Sequence, residues 1–211
     1  MSGEELRYVN IEPAMAEELE AIELASFPST DPVDLYNARE LRAVAEDFSE
    51  GSFAVLDGDR AVAMGTGVRR HFDLNNYQHT MAEFFESGFS GHEADGDWYY
   101  GTTITVLPEY RRRGIGQRLY ELRKQVCRDY NLRGIIAGGV LPGFVNYKHE
   151  MTAAEYVEAV RDGELTDPTL TMQLASGFEV IGVLENYLPD RKSDGWASMI
   201  VWHNPDYQGN E

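Results

Sequence analysis

Apolar and polar residues alternate in short runs along the first hundred residues, and two longer stretches follow a helical period. Leu6 to Ile11 alternates as a strand, and Ala14 to Phe27 carries Met15, Leu19, Ile22 and Ala25 at helical spacing. Asp31-Pro32 forms a start signal, a capping side chain followed by proline in the first turn. It predicts a second helix with Leu35, Ala38, Leu41, Ala45 and Phe48 on one side, ended by Gly51. Ser52 to Leu56 and Ala61 to Val68 read as strands joined through Asp57-Gly58-Asp59, a hairpin signal. Trp98 to Val106 is strand-like and stops at Leu107-Pro108, because proline cannot donate to a ladder.

A strongly amphipathic helix is predicted from Gly114 to Leu132, with Ile115, Leu119, Leu122, Val126 and Tyr130 as its buried stripe. Gly134 to Val140 is the next strand. Thr152-x-x-Glu155 is a capping box, opening a helix that stops at Gly163, and Asp167-Pro168 opens another that ends at Gly177. Phe178 to Leu184 and Trp196 to Trp202 complete the strands. This order predicts a mixed α/β layer with a largely antiparallel sheet, in one domain spanning 1–211. Two stretches, 72–97 and 145–166, read as insertions into that framework.

Composition narrows the partners. The 211 residues carry a net charge of −18, which speaks against nucleic acid, since phosphate neutralisation needs clustered Lys and Arg. An acidic surface aids solubility and also steers cationic amines. No stretch is long and apolar enough to span a bilayer, and MSGEELRYVN has no secretory pattern, so the expected location is cytoplasmic with no membrane partner. The single cysteine, Cys127, excludes an intramolecular disulfide and borders the apolar stripe as a packing residue. The five histidines show no ligand spacing, and no metal is expected.

Against the acidic background, Arg111, Arg112, Arg113 and Arg118 fall within eight residues. They sit in TITVLPEYRRRGIGQRLYELRKQ, where a strand ends, a basic loop follows and a helix begins at glycines. The first-turn N–H groups of a helix lack intrahelical partners and, with the helix dipole, attract anions. Gly114 and Gly116 let the backbone approach a phosphate closely. The loop is suited to a pyrophosphate. It lacks the third glycine of the dinucleotide fingerprint, having Leu119 there, and it lacks the Gly-Lys-Ser/Thr of a P-loop.

The full string V-x-P-x-Y-R-R-R-G-I-G-x-x-L resembles the acetyl-CoA motif of the GNAT acetyltransferase superfamily, with its core at Arg111, Gly114 and Gly116. The order of predicted elements also resembles that fold, and LASGFEVIG (174–182) resembles the segment closing its core. A narrower resemblance, through 151–190, is to acetyltransferase domains that precede a carbon–nitrogen hydrolase domain in some proteins. The resemblance implies an N-acetyltransferase using acetyl-CoA as cosubstrate on a primary amine of a small molecule or peptide. It implies that backbone N–H groups of Arg111, Arg112, Arg113, Gly114, Ile115 and Gly116 hold the pyrophosphate. Backbone near Ile104 and Val106 would pair with pantetheine, and the acyl group would lie where the 134–140 strand splays away.

The chain departs from the family where a protonating tyrosine is common, four residues before Gly177; it has Gln173 there. The motif strand, WYYGTTITV, has no carboxylate except Asp97 at its edge. Tyr100 and Tyr147 are the candidate catalytic residues, followed by His149, Glu150 and Glu185. The missing tyrosine also fits a non-catalytic acyl-CoA-binding module on the same fold. The two insertions are expected to flank the acceptor end, with Tyr77, Phe84, Phe85, Phe89, Phe144, Tyr147 and Tyr156 as walls and Glu83, Glu86, Glu150 and Glu155 holding a cationic amine. A homodimer interface is the competing use of those aromatics.

Overall fold

The computed structural model describes residues 5–85 and 90–209. Seven strands form one sheet in the order β1-β2-β3-β4-β5-β7-β6. They are β1 (Arg7–Asn10), β2 (Phe53–Asp57), β3 (Arg60–Arg70), β4 (Trp98–Val106), β5 (Gly134–Val140), β6 (Glu179–Leu184) and β7 (Ala197–His203). Every neighbouring pair is antiparallel except β4–β5. The β2–β3 hairpin turns through Gly58, whose φ of 61° is the left-handed conformation glycine adopts freely. The helices are α1 (Ala16–Ser26), α2 (Ala38–Phe48), α3 (Met81–Phe85), α4 (Ile115–Asp129), α5 (Ala153–Arg161) and α6 (Leu170–Ala175). None is long and apolar enough to cross a membrane, among the described residues.

Strand alternation divides the core. Tyr99, Ile135 and Ile200 join the larger apolar cluster beneath the helices. Their neighbours Tyr100, Ile136, Met199 and Val201 join a smaller one, completed by Phe72, Leu74, Tyr77 and Met81 after β3 and by Tyr187 and Leu188 between β6 and β7. Residues 72–81 therefore cap one face of the sheet.

Two helical expectations need correction. Asp31 caps a single short turn, Pro32–Asp34, and the chain then extends again. The second helix starts at Ala38 under a full capping box, in which Asn37 accepts from Glu40 N–H and Glu40 accepts from Asn37 N–H. The buried face of α4 is also rotated. It contains Ile115, Leu119, Tyr120, Arg123, Lys124, Val126 and Cys127, while Tyr130 is 39% exposed and Leu122 only partly buried. Two cations occupy that face because each finds carbonyl acceptors, Arg123 on Thr66 and Thr103 and Lys124 on Ser176.

Candidate functional site

The loop between β4 and α4 is shaped by backbone conformation. Arg112 and Gly114 have φ values of 60° and 79°. Gly114 is the N-cap of α4 and supplies no side-chain cap, so the helix opens with bare N–H groups. A Cβ on Gly114 would meet nothing within 4 Å. Arg111 fixes the loop by donating from Nε to the Val106 carbonyl at 3.0 Å and from Nη2 to the Ser26 carbonyl at 3.4 Å. Arg113 donates to the Glu109 carbonyl at 2.9 Å and lies over the Tyr110 ring. Arg112 is exposed and makes no hydrogen bond or ion pair among the described residues. Two of the three consecutive arginines thus brace the loop, and Arg112 extends from it into solvent.

Beyond the loop the sheet divides. The parallel β4–β5 ladder contains only Tyr99↔Ile135 and Tyr100↔Ile136. After those pairs β4 continues through Gly101 to Val106 and β5 through Ala137 to Val140 without further pairing. Thr102 is an extra residue against β3, since Thr66 faces Thr103 and Gly67 faces Gly101. A cavity of about 550 Å³ occupies the division, lined by Gly101 to Ile104 of one strand and Ala137 to Val140 of the other. Met172 links it to the loop: it lines the cavity and lies 3.5 Å from the place of a Cβ on Gly116.

The two ends of this cavity differ. Near α4 and α6 it is lined by Tyr120, Arg123, Met172 and Gln173. The Gln173 amide donates to the Tyr120 hydroxyl at 3.3 Å, so a phenol from α4 stands where α6 supplies none. Arg123 is 2% exposed and bridges the β3 and β4 backbones across the bulge. The other end is lined by Glu23, Asp34, Tyr36 and Glu40 from the α1–α2 region, Thr80 to Ala82, and Asn186 to Pro189. Asp190 ties two of these segments together by accepting from Ser29 at 2.6 Å and from Thr30 at 3.2 Å.

Glu23 is 3% exposed, on the core side of α1. Burial pushes its carboxyl up to about 8, against weaker stabilisation by the Thr103 hydroxyl and the Tyr36 backbone. At neutral pH it is mostly protonated. Burial likewise raises the Tyr36 phenol, and Thr102 and Thr66 oppose the shift.

The sequence candidates distribute unevenly over this geometry. Ile104 lines the cavity; Val106 gives its carbonyl to Arg111. Tyr100 is fully buried one layer behind the lining, its hydroxyl 2.9 Å from that of Tyr187. Tyr147 packs at a tilt of 33° against Tyr156, with ring centroids 5.5 Å apart, and does not line the cavity. His149, Glu150 and Glu155 border a separate shallow depression with Phe144, and Glu185 is exposed. Asp97 is engaged with Arg133 and His71.

The expected pair of flanking insertions needs correction as well. Thr80, Met81 and Ala82 of the first reach the cavity, but no residue of 145–166 does. Helix α5 buries Ala153, Tyr156, Val157 and Val160, which makes that insertion a packing element. Glu83 accepts from the Thr80 N–H at the start of α3. Glu86 and Phe89 lie outside the described residues, as do the side chains of Phe84 and Phe85.

Sequence reasoning missed Glu23, Tyr36, Tyr120, Arg123 and Tyr187. Glu23 left one signal: it follows Leu19 by four positions, a carboxylate in the register of the buried face. Arg123 left the same signal after Leu119. Tyr120 sits on α4 one residue after Leu119, and Tyr36 and Tyr187 come from loops whose proximity only the fold reveals.

Comparison with known proteins adds an independent view. Residues 16–143 match the acetyltransferase (GNAT) family. The probable hydrolase YhcX of Bacillus subtilis (strain 168) is 36% identical over 200 residues, covering 94% of this chain but only 38% of YhcX, consistent with a domain joined to hydrolase sequence. The uncharacterized N-acetyltransferase YkwB of the same organism is 31% identical over 194 residues, 91% of this chain and 86% of YkwB. The GphF GNAT-like decarboxylase, solved in complex with isobutyryl-CoA, shares the fold with a TM-score of 0.80 at 17% identity, over 94% of this chain and 99% of that one.

Proposed function

The chain belongs to the GNAT acetyltransferase family, and on that premise we propose that it moves an acyl group, acetyl from acetyl-CoA, to a primary amine of a small molecule or peptide. The observation that carries this reading is the cavity through the β4–β5 division, joined by Met172 to an uncapped, glycine-opened helix. In this reading the N–H groups of Arg111 to Gly116 hold the pyrophosphate, with Arg112 adding charge. Pantetheine runs along the β4 edge that β5 leaves near Ile104, extending the sheet. The thioester then lies between Gly101–Thr103 and Ala137–Gly139. The whole chain works as one unit, because the cavity draws its lining from Glu23 through to Pro189.

The amine enters from the opposite end, where Asp34 and Glu40 favour a cation. Once the ammonium has given up a proton to solvent, its neutral nitrogen attacks the thioester carbonyl, the C–N bond forms, and the C–S bond breaks. The departing sulfur takes a proton; Tyr120, oriented by Gln173, is the hydroxyl placed on the CoA side for that step. Tyr147 has no part in this scheme, and Tyr100 acts only through Tyr187. GphF, bound to isobutyryl-CoA, supports an acyl-CoA donor on this fold. Incubation with acetyl-CoA and a panel of small amines and peptides tests the proposal. Free thiol should appear in step with acylated amine. CoA binding without acyl transfer to any amine would favour the non-catalytic binding module instead.

A further inference from the structure

Transfer to an amine leaves a proton that must be taken from the nitrogen, and Glu23, held protonated until about pH 8, is a poor acceptor at neutral pH. A second route begins at Tyr187. This side chain lines the cavity while being 3% exposed. Its ring lies directly over Gly138, where a Cβ would come within 2.3 Å of it, so a glycine in β5 is what admits the phenol. The Tyr187 hydroxyl is 2.9 Å from the Tyr100 hydroxyl, which is 2.7 Å from His79 Nε2. His79 Nδ1 is 2.6 Å from the Tyr77 carbonyl.

The direction of these bonds follows from chemistry. A carbonyl only accepts, so Nδ1 carries the imidazole hydrogen and Nε2 is the acceptor. Tyr100 therefore donates to His79, and its oxygen is left to receive from Tyr187. Met81 Sδ, at 3.2 Å, is the alternative and weaker acceptor for Tyr187. Every hydrogen in the preferred arrangement points from the cavity toward a partly exposed histidine.

We propose that Tyr187, Tyr100 and His79 form a proton relay that carries the amine proton out of the acceptor end of the cavity. It rests on the acyl-transfer reading above and adds the exit path. As nitrogen bonds to the carbonyl carbon, its proton passes to Tyr187, the Tyr187 proton to Tyr100, and the Tyr100 proton to Nε2, leaving an imidazolium. Solvent then takes the Nε2 proton, which restores the neutral ring with hydrogen on Nδ1, and the two hydroxyls rotate back. Burial pushes the Tyr187 phenol up to about 12 and Tyr100 well above its ordinary value, so the transfers are concerted and no free phenolate accumulates. The Gly138 backbone, facing both hydroxyls, stabilises charge that develops on them. His79 is kept below its ordinary value by burial, with Arg70 acting in the same sense and Glu83 and the Tyr77 carbonyl opposing. Phe72, Tyr100 and Tyr187 add neutral rings against it. It is thus a neutral acceptor at pH 7.

Three variants test the relay: Tyr187→Phe, Tyr100→Phe and His79→Gln. With acetyl-CoA and a productive amine, wild-type kcat should fall on the acid side, as His79 takes up its proton at a pH below the ordinary imidazole value. Each variant should lose roughly 100-fold in kcat at pH 7.5, with KM for acetyl-CoA unchanged, and should lose that acidic limb of the profile. A purely structural role would lower thermal stability and leave the pH profile in place. Wild-type kcat and pH dependence in folded Tyr187→Phe and His79→Gln would overturn the proposal. Nitrogen-15 NMR of the His79 ring checks it without any amine. Hydrogen on Nδ1 is expected; hydrogen on Nε2 would reverse the chain and overturn the relay. A wild type that turns over no amine would count against the acyl-transfer reading, while the ring measurement still decides the direction of the bonds.

Discussion

The two ends of the cavity are built from different materials. The end proposed to hold CoA is mostly backbone: a loop with left-handed Arg112 and Gly114, a helix opening without a side-chain cap, and a strand edge released where β5 departs. The acceptor end is mostly side chains, brought from α1, the α1–α2 connection, the 72–97 stretch and the β6–β7 loop. A backbone site demands particular residues in consecutive positions, because only glycine permits the close approach. A side-chain site demands particular residues in space, wherever the chain crosses. The first leaves a string in the sequence, and the second leaves scattered single residues.

Separability is the test of this contrast, and the largest effect is expected at the loop. Gly114→Asp and Gly116→Asp should each weaken CoA binding at least ~100-fold by isothermal titration, because a carboxylate would stand where the phosphate belongs. Gly116→Asp should fold, since a Cβ there makes an ordinary contact with Met172, whereas Gly114→Asp meets no clash but carries about 1–2 kcal/mol of backbone strain at a φ of 79°. Undiminished CoA affinity in a folded variant would give the loop another role.

At the acceptor end the leading effect is on stability. Glu23 ionises above about 4.5 when unfolded but retains its proton to about 8 when folded. Between those values the unfolded state binds fewer protons, so Glu23 lowers stability as pH rises. Glu23→Gln removes that slope, and relative to wild type it should gain about 2 kcal/mol on going from pH 4 to pH 6. Denaturant titrations at the two pH values measure this; parallel changes in both proteins would mean that Glu23 is not buried as described.

Gly138→Ala should displace the Tyr187 ring and cost roughly tenfold in kcat with CoA affinity retained. A matching loss of CoA affinity would show that the two ends are not independent. The smallest effect belongs to Cys127→Ala. Its thiol is fully buried, pushed up by burial, and donates only a weak bond to the Gly134 carbonyl. About 1 kcal/mol of stability should be lost and acyl transfer kept; loss of transfer in a folded, CoA-binding variant would assign the thiol a chemical role.

Much of the fold was legible, for reasons the same contrast explains. β4 and β5 occur at the limits their sequences predict, and the Thr152–Glu155 capping box forms as expected, because strand ends and caps are local. Where a signal competes with a neighbour, reading fails. Asp31-Pro32 predicts a helix start, yet Asn37 and Glu40 provide reciprocal caps six residues later and take it. On α4 the polar character of Arg123 and Lys124 hid a buried face that turns on their carbonyl partners. The 145–166 stretch reads in sequence as an insertion flanking the acceptor end, but Tyr156, Val157 and Val160 commit its helix to packing. Tyr100 was legible as a residue of interest but not as a hydrogen-bond partner of Tyr187, which lies 87 positions away.

A crystal structure of this chain with acetyl-CoA tests the central claim most directly. The pyrophosphate should rest on the N–H groups of Arg111 to Gly116, with the thioester between Gly101–Thr103 and Ala137–Gly139 and the end lined by Glu23 and Tyr187 left open for the amine. Acetyl-CoA bound elsewhere, or with its acetyl group outside the β4–β5 division, would contradict the account.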